Sequence, residues 1–218
     1  MARLPRARHP GWRALQITLI PGAAGLASFW DPIREQLPAS WLQHTFDLPG
    51  FGPVPAQPDI QSYDQLVEHI ARGLPGPGVV AGQSMGGFLA LQLALRYPPL
   101  VTHLVLMVAA AGVHMARHGA RDWRPEHGGR AANPAWTFAP VPDLSAELGR
   151  ISIPVLLVWA TRDAISPLGV ACQLQAALPN ARLLTFDSDD HWVARRFAAE
   201  TALAIRELVE PAQMSTAR

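Results

Sequence analysis

Apolar residues along this chain fall into short, dense runs separated by stretches with a helical rhythm. Runs of strand length, rich in β-branched or aromatic residues, occupy 14–20, 42–46, 79–81, 104–110, 155–160 and 182–186. Between most of them, apolar positions recur at helical spacing over 29–37, 60–72, 87–96, 168–178 and 193–209. Strands that alternate with helices and read as continuous apolar runs predict an α/β protein with a mostly parallel sheet covered on both faces. In such a sheet the chemistry belongs in the loops at the carboxyl ends of the strands.

One interval breaks the rhythm. Residues 111–150 show little periodicity and hold several Pro and Gly, four arginines (Arg117, Arg121, Arg124, Arg130) and three histidines (His114, His118, His127). The aromatics Trp123, Trp136 and Phe138 lie there too. A loop of that length in a compact domain is usually functional or mobile, and 111–150 reads as a reduced lid or cap insertion within a single domain spanning 1–218.

Composition narrows the class of partner. With 49% apolar residues and a formal net charge of +1, nothing supports disorder, a nucleic-acid-binding field or a membrane-surface helix. A small-molecule partner is expected, with no nucleic acid and no membrane. Arg3, Arg6 and Arg8 precede an apolar run, 15–20, that is too short and too β-branched for a secretory segment. No span approaches transmembrane length, so a cytoplasmic protein is expected. The one cysteine, Cys172, cannot form an intramolecular disulfide and lies in an apolar helical stretch, where a buried, inert thiol is expected. All 18 basic residues are arginine. That excludes Schiff-base chemistry, a Ser-Lys dyad and a lysine-based phosphate loop, so any nucleophile must be activated in another way.

The candidate nucleophile stands in Gly82-Gln83-Ser84-Met85-Gly86, after an apolar run and before a helical pattern. Glycines two positions either side of a serine point to a turn too tight for Cβ atoms. A G-x-S-x-G sequence between a strand and a helix is the setting of a nucleophile elbow, in which the turn lifts the hydroxyl clear of the sheet. The bland alternative is a Gly-rich turn with an incidental serine, so the rest of the constellation must decide.

A serine hydroxyl is a poor nucleophile unless a base takes its proton, and that base needs an acid to hold its tautomer. Asp163 lies just past the run 155–160, and His191 lies just past the run 182–186. The chain order Ser84, Asp163, His191 is the one expected of an α/β-hydrolase triad. Asp163 could instead cap the helix starting near Pro167, and Asp187 is held in reserve as the acid. For the oxyanion, Met85 N–H at the start of a helix is the natural first donor. The loop Pro21-Gly22-Ala23-Ala24-Gly25 after the first strand offers Ala23 N–H as the second, unless it is an ordinary Pro-Gly turn.

Together these pieces resemble the α/β-hydrolase superfamily from Leu15 to about Val209. The Asp47-Leu48-Pro49-Gly50-Phe51-Gly52 stretch looks like that family's D-x-P-G-x-G loop. Two positions depart from it: Pro21-Gly22 stands where His-Gly is usual, and Asp190-His191 where Gly-His is usual. The chain before Leu15 is too short for the family's first two strands, which implies a sheet of about six. The "DLPGFG" stretch, the serine elbow and the small lid are similar to the pimeloyl-ACP methyl ester esterases and to small carboxylesterases.

What the resemblance implies is a cofactor-free, metal-free ester hydrolase acting on small to medium acyl groups, with Ser84 as nucleophile, His191 as base and Asp163 as its orienting acid. Trp123, Trp136 and Phe138 are the expected substrate walls, while Trp30 and Phe88 read equally as core. An arginine-bearing lid would suit an acidic acyl carrier protein. Three readings stay open beside it: a thioesterase or carrier-protein ester esterase on the same triad, a non-catalytic ligand-binding protein, and an interaction domain on a hydrolase scaffold.

Overall fold

The computed structural model of the protein describes residues 15–110, 112–122 and 133–210. Trp123, one of the expected substrate walls, lies outside the described residues, as do Arg124, His127 and Arg130 of the same stretch.

Six strands form one parallel sheet: β1 (Gln16–Ile20), β2 (Leu42–Thr45), β3 (Gly78–Gln83), β4 (Val101–Met107), β5 (Val155–Ala160) and β6 (Ala181–Phe186), in the spatial order β2-β1-β3-β4-β5-β6. The helices are α1 (Asp31–Arg34), α2 (Tyr63–Gly73), α3 (Met85–Arg96), α4 (Leu168–Ala177), α5 (Val193–Arg196) and α6 (Ala198–Val209). The number of strands matches the reading of the sequence, with β4 starting three residues earlier than its densest apolar run. The single helix expected over 193–209 breaks at Phe197 into α5 and α6.

The period of two along each strand divides the core. Val80, Leu104, Leu106, Val155, Leu157 and Trp159 face one side, where α2, α3 and α4 pack. Val79, Ala81, Val105, Met107, Leu156 and Val158 face the other, against Trp30, Ile33, Ala202 and Ile205 of the chain around α1 and α6. With both faces covered, the central strands must be apolar throughout, and β5 is buried at all six positions. α3 lies in the middle of one layer and is buried from Met85 to Leu95.

Cys172 departs from expectation. On α4 the buried positions are Val170, Ala171 and Leu174, and the intervening Cys172 points outward, so its thiol is exposed. Between β4 and β5 the described chain forms only short 3₁₀ turns, at Met115–His118, Ala135–Phe138 and Leu148–Arg150, and one bridge from Gly112 to Asp143.

The strand order fixes where a ligand can enter. From β1 the chain steps outward to β2, returns to the far side of β1 as β3, and from there continues in the opposite direction across the sheet. Loops leaving the carboxyl ends of β1 and β3 therefore diverge and leave a crevice between them, which is the usual ligand position in open α/β sheets. Both G-x-S-x-G and the Pro21–Gly25 turn are at this point.

Candidate active site

Ser84 occupies the one-residue turn between β3 and α3, with φ 51° and ψ −119°. That conformation is sparsely populated for any residue with a Cβ and costs about 1–3 kcal/mol, so the surroundings must impose it. They do so through the backbone: Ser84 N–H donates to the Met107 carbonyl at 2.9 Å, and its carbonyl accepts from Gly87 N–H at 2.9 Å and Ala110 N–H at 3.0 Å. Val108, the other described non-glycine residue with positive φ (42°), lies in the segment that provides these partners. A β-branched residue in that region is a stronger outlier than a serine, and its N–H is held by the Val158 carbonyl at 3.0 Å.

The flanking glycines have steric reasons. A methyl on Gly82 would overlap the Gly86 carbonyl across the turn, and one on Gly86 would come to 2.5 Å from the Pro21 carbonyl oxygen and overlap that of Ile20. So tight a turn presses the start of α3 against the end of β1. A serine before a helix ordinarily accepts a hydrogen bond from the first turn, but Ser84 makes no such cap. Ser84 instead lines a cavity shared with His191.

The loops after β5 and β6 are tied to each other. Thr161 N–H donates to the Phe186 carbonyl at 2.9 Å, and Arg162 N–H donates to the Ser188 carbonyl at 2.9 Å. This brings Asp163 Oδ2 within 2.6 Å of His191 Nδ1, with the carboxylate almost wholly buried. The other carboxylate oxygen accepts from Ile165 N–H at 2.7 Å and Ser166 N–H at 3.1 Å. Asp163 thus holds its own loop and His191 together. With Nδ1 engaged, Nε2 is the imidazole nitrogen left for other chemistry. The reserve acid, Asp187, is exposed and pairs with Arg162 instead.

Asp190, where the family pattern has glycine, accepts Trp192 N–H on Oδ1 at 2.8 Å and turns the chain into α5. Pro21-Gly22, where that pattern has His-Gly, packs with Gly22 against the Gln83 side chain. Ala23 and Ala24 of the same turn line the Ser84 cavity. Met85 begins α3, so its N–H has no intrahelical acceptor and points out of the helix's positive end.

The remaining walls of the cavity are Leu26, Phe29, Ile165 and Trp192, around roughly 450 Å³ of empty space including the mouth. Phe29 and Trp192 meet edge to face, with centroids 6.0 Å apart. Neither Trp136 nor Phe138, the expected walls, lines this cavity. Trp136 packs edge to face on Phe51 and Tyr63, 5.9 Å and 5.1 Å away, and Tyr63 O–H donates to the Thr137 carbonyl at 3.1 Å. That anchor draws the 3₁₀ turn carrying both aromatics onto the α2 side of the molecule. Trp30 and Phe88 are core residues, fully buried or nearly so. Sequence reasoning missed Trp192 although it directly follows His191, and missed Phe29 because its apolar spacing read as helix face. Among the described residues no cluster of His, Cys, Asp or Glu is placed to hold a metal ion.

A sequence profile of the alpha/beta hydrolase family matches residues 19–147, and a profile described as TAP-like protein matches 130–207. The chain is 31% identical to the pimeloyl-[acyl-carrier protein] methyl ester esterase of Nitrosomonas europaea, over 80% of this chain and 88% of that protein. It is 28% identical to the esterase of the same name from Chromobacterium violaceum, over 73% and 80%. Among solved structures, a hydrolase from Pseudomonas aeruginosa superposes with a TM-score of 0.76 at 19% identity, covering 91% of each chain. A thermophilic esterase from Thermogutta terrifontis gives 0.74 at 22%, covering 90% of each.

Proposed function

The chain belongs to the alpha/beta hydrolase family, and on that premise we propose that it hydrolyses carboxylic esters of small to medium acyl groups through an acyl-enzyme formed on Ser84. The observation that carries this reading is the 2.6 Å contact between Asp163 and His191, with His191 and Ser84 lining one cavity at the sheet's switch point. The esterase names of the relatives support it.

Ser84 Oγ attacks the ester carbonyl carbon as His191 Nε2 takes its proton. The carbonyl π pair moves to oxygen, and the resulting oxyanion meets the N–H groups of Met85 and Ala23. A donor of this kind is commonly worth a hundredfold to a thousandfold in rate, roughly 3–4 kcal/mol. Asp163 orients His191 and offsets the imidazolium charge. Collapse of the tetrahedral adduct breaks the bond to the alcohol oxygen, which leaves with the proton from His191. Water then enters, gives a proton to His191, attacks the acyl carbon and releases the acid, and the proton returns to Ser84.

Leu26, Phe29, Ile165 and Trp192 would hold the apolar part of the substrate. In this reading the stretch between β4 and β5 serves as a short cap. The relatives' names favour an ester presented on an acyl carrier protein as the finer assignment, with a thioester as its alternative on the same residues. No helix among the described residues is long and apolar enough to cross a membrane, and a cytoplasmic location fits this reading.

A series of p-nitrophenyl esters of increasing acyl length tests the assignment. Saturable hydrolysis that peaks at short to medium chains and disappears in Ser84→Ala and His191→Ala supports it. Hydrolysis that persists undiminished in Ser84→Ala overturns it.

A further inference from the structure

Beside the Ser84 cavity lies an open groove lined by Pro32, Asp190, Trp192, Arg195 and Arg196. Trp192 is a wall of both spaces, so the two adjoin at one indole. Their chemistry differs sharply. On the cavity side the indole meets Phe29 in an apolar lining, whereas on the groove side the Arg195 guanidinium stands 5.7 Å from the indole centroid. Arg196, the next residue, leans its guanidinium over Phe197 at 5.7 Å.

These two cations differ from most of the described arginines. Arg34, Arg72, Arg96, Arg150, Arg162 and Arg182 each pair with a carboxylate. Arg195 and Arg196 are exposed and make no ion pair among the described residues. Asp190 is the carboxylate that shares the groove, and its Oδ1 is occupied by the Trp192 N–H. Two guanidinium groups against one carboxylate leave the groove net positive. The rings beneath them limit the guanidinium rotamers without neutralising the charge.

We propose that this groove binds an anionic group, a carboxylate or a phosphate, on the part of the substrate that projects from the Ser84 cavity past Trp192. The proposal rests on the ester-hydrolase reading and deepens it. The ester sits in the apolar cavity, the chain crosses the indole, and the distal anion accepts hydrogen bonds from one or both guanidinium forks. Being exposed, these contacts add a modest and salt-sensitive preference.

The test compares three esters of equal chain length, ending in methyl, carboxylate and phosphate, in wild type, Arg195→Gln, Arg196→Gln and the double variant. Arg206→Gln, an exposed arginine on α6 outside both spaces, serves as the control. For one or both anionic esters, the double variant is expected to raise KM about fivefold relative to the methyl ester, with kcat little changed, and added salt to erase the wild-type preference. Which anionic ester responds identifies the source of the anion. Equal KM values for charged and neutral esters in wild type, or a preference that survives the double variant, would overturn the proposal. Calorimetric binding of the matching mono- and dicarboxylic acids to wild type and double variant reads the groove without turnover. If no ester is hydrolysed, the functional reading fails and this titration, run also with the phosphate-ended acid, alone decides the groove: tighter binding of either doubly anionic acid than of the monocarboxylic acid, lost in the double variant, upholds it, and equal binding of all three refutes it.

Discussion

Ser166 Oγ donates to the Ala109 carbonyl at 2.8 Å, wholly inside the protein. That bond joins the two halves of the candidate site. Ser166 N–H also holds Asp163, and Ala110, next to Ala109, holds the Ser84 carbonyl. Ser166 thus ties the Asp163 loop to the backbone around Ser84. Ser166→Ala leaves the Ala109 carbonyl without its donor, which costs about 1–3 kcal/mol. The expected outcome is a lower thermal midpoint together with a severalfold drop in kcat at unchanged KM.

The backbone at Ser84 is held in a strained conformation. Ser84→Gly removes the Cβ from a φ of 51° and is expected to stabilise the fold by about 1 kcal/mol while abolishing ester hydrolysis. Chemical denaturation of the variant beside wild type measures the first effect. A destabilised Ser84→Gly would show that the elbow conformation is not strained.

A methyl at Gly86 has backbone carbonyls of Ile20 and Pro21 in its way, and neither can rotate aside. Gly86→Ala is therefore expected to destabilise by several kcal/mol or to prevent folding, read by soluble yield and thermal unfolding. Gly149→Ala, where the added Cβ meets nothing within 4 Å, is the benign comparison.

The two candidate acids for His191, Asp163 and Asp187, should separate cleanly. Asp163→Asn exchanges the partner of His191 Nδ1 for an amide and is expected to lower kcat by about 10³–10⁴-fold, as loss of the orienting carboxylate does in serine hydrolases generally. Asp187→Asn, removing an exposed pair with Arg162, should change kcat less than twofold.

Asp143 supplies a pH signature. The Ser145 hydroxyl and N–H hydrogen-bond its carboxylate, and His114 and Arg117 add favourable charge, so its pKa lies below the usual value. A carboxyl group with a lowered folded pKa adds stability that is complete above its unfolded pKa, about 4, and is lost as pH falls through the folded value. Thermal midpoints of wild type should therefore fall more steeply below about pH 4 than those of Asp143→Asn.

The sheet and the chain order of Ser84, Asp163 and His191 were legible because they rest on local signals. Apolar runs mark buried strands, and a G-x-S-x-G turn and two polar loops follow their ends. The cavity walls were not legible in the same way. Trp136 and Phe138 drew attention as aromatics in an irregular stretch, yet packing on Phe51 and Tyr63 takes that turn elsewhere. Phe29 and Trp192 reach the cavity from opposite ends of the chain, through contacts that no local pattern encodes. Ser166 carried no local signal, because its bond to Ala109 spans 57 positions. Cys172 shows the limit of composition alone, since an apolar helix still exposes one face.

Intact-mass analysis of the protein after exposure to a fluorophosphonate tests the central claim most directly. The account predicts one covalent adduct on wild type, none on Ser84→Ala, and strongly slowed formation on His191→Ala. A well-folded wild-type protein that takes up no adduct, or a Ser84→Ala variant that still does, would contradict it.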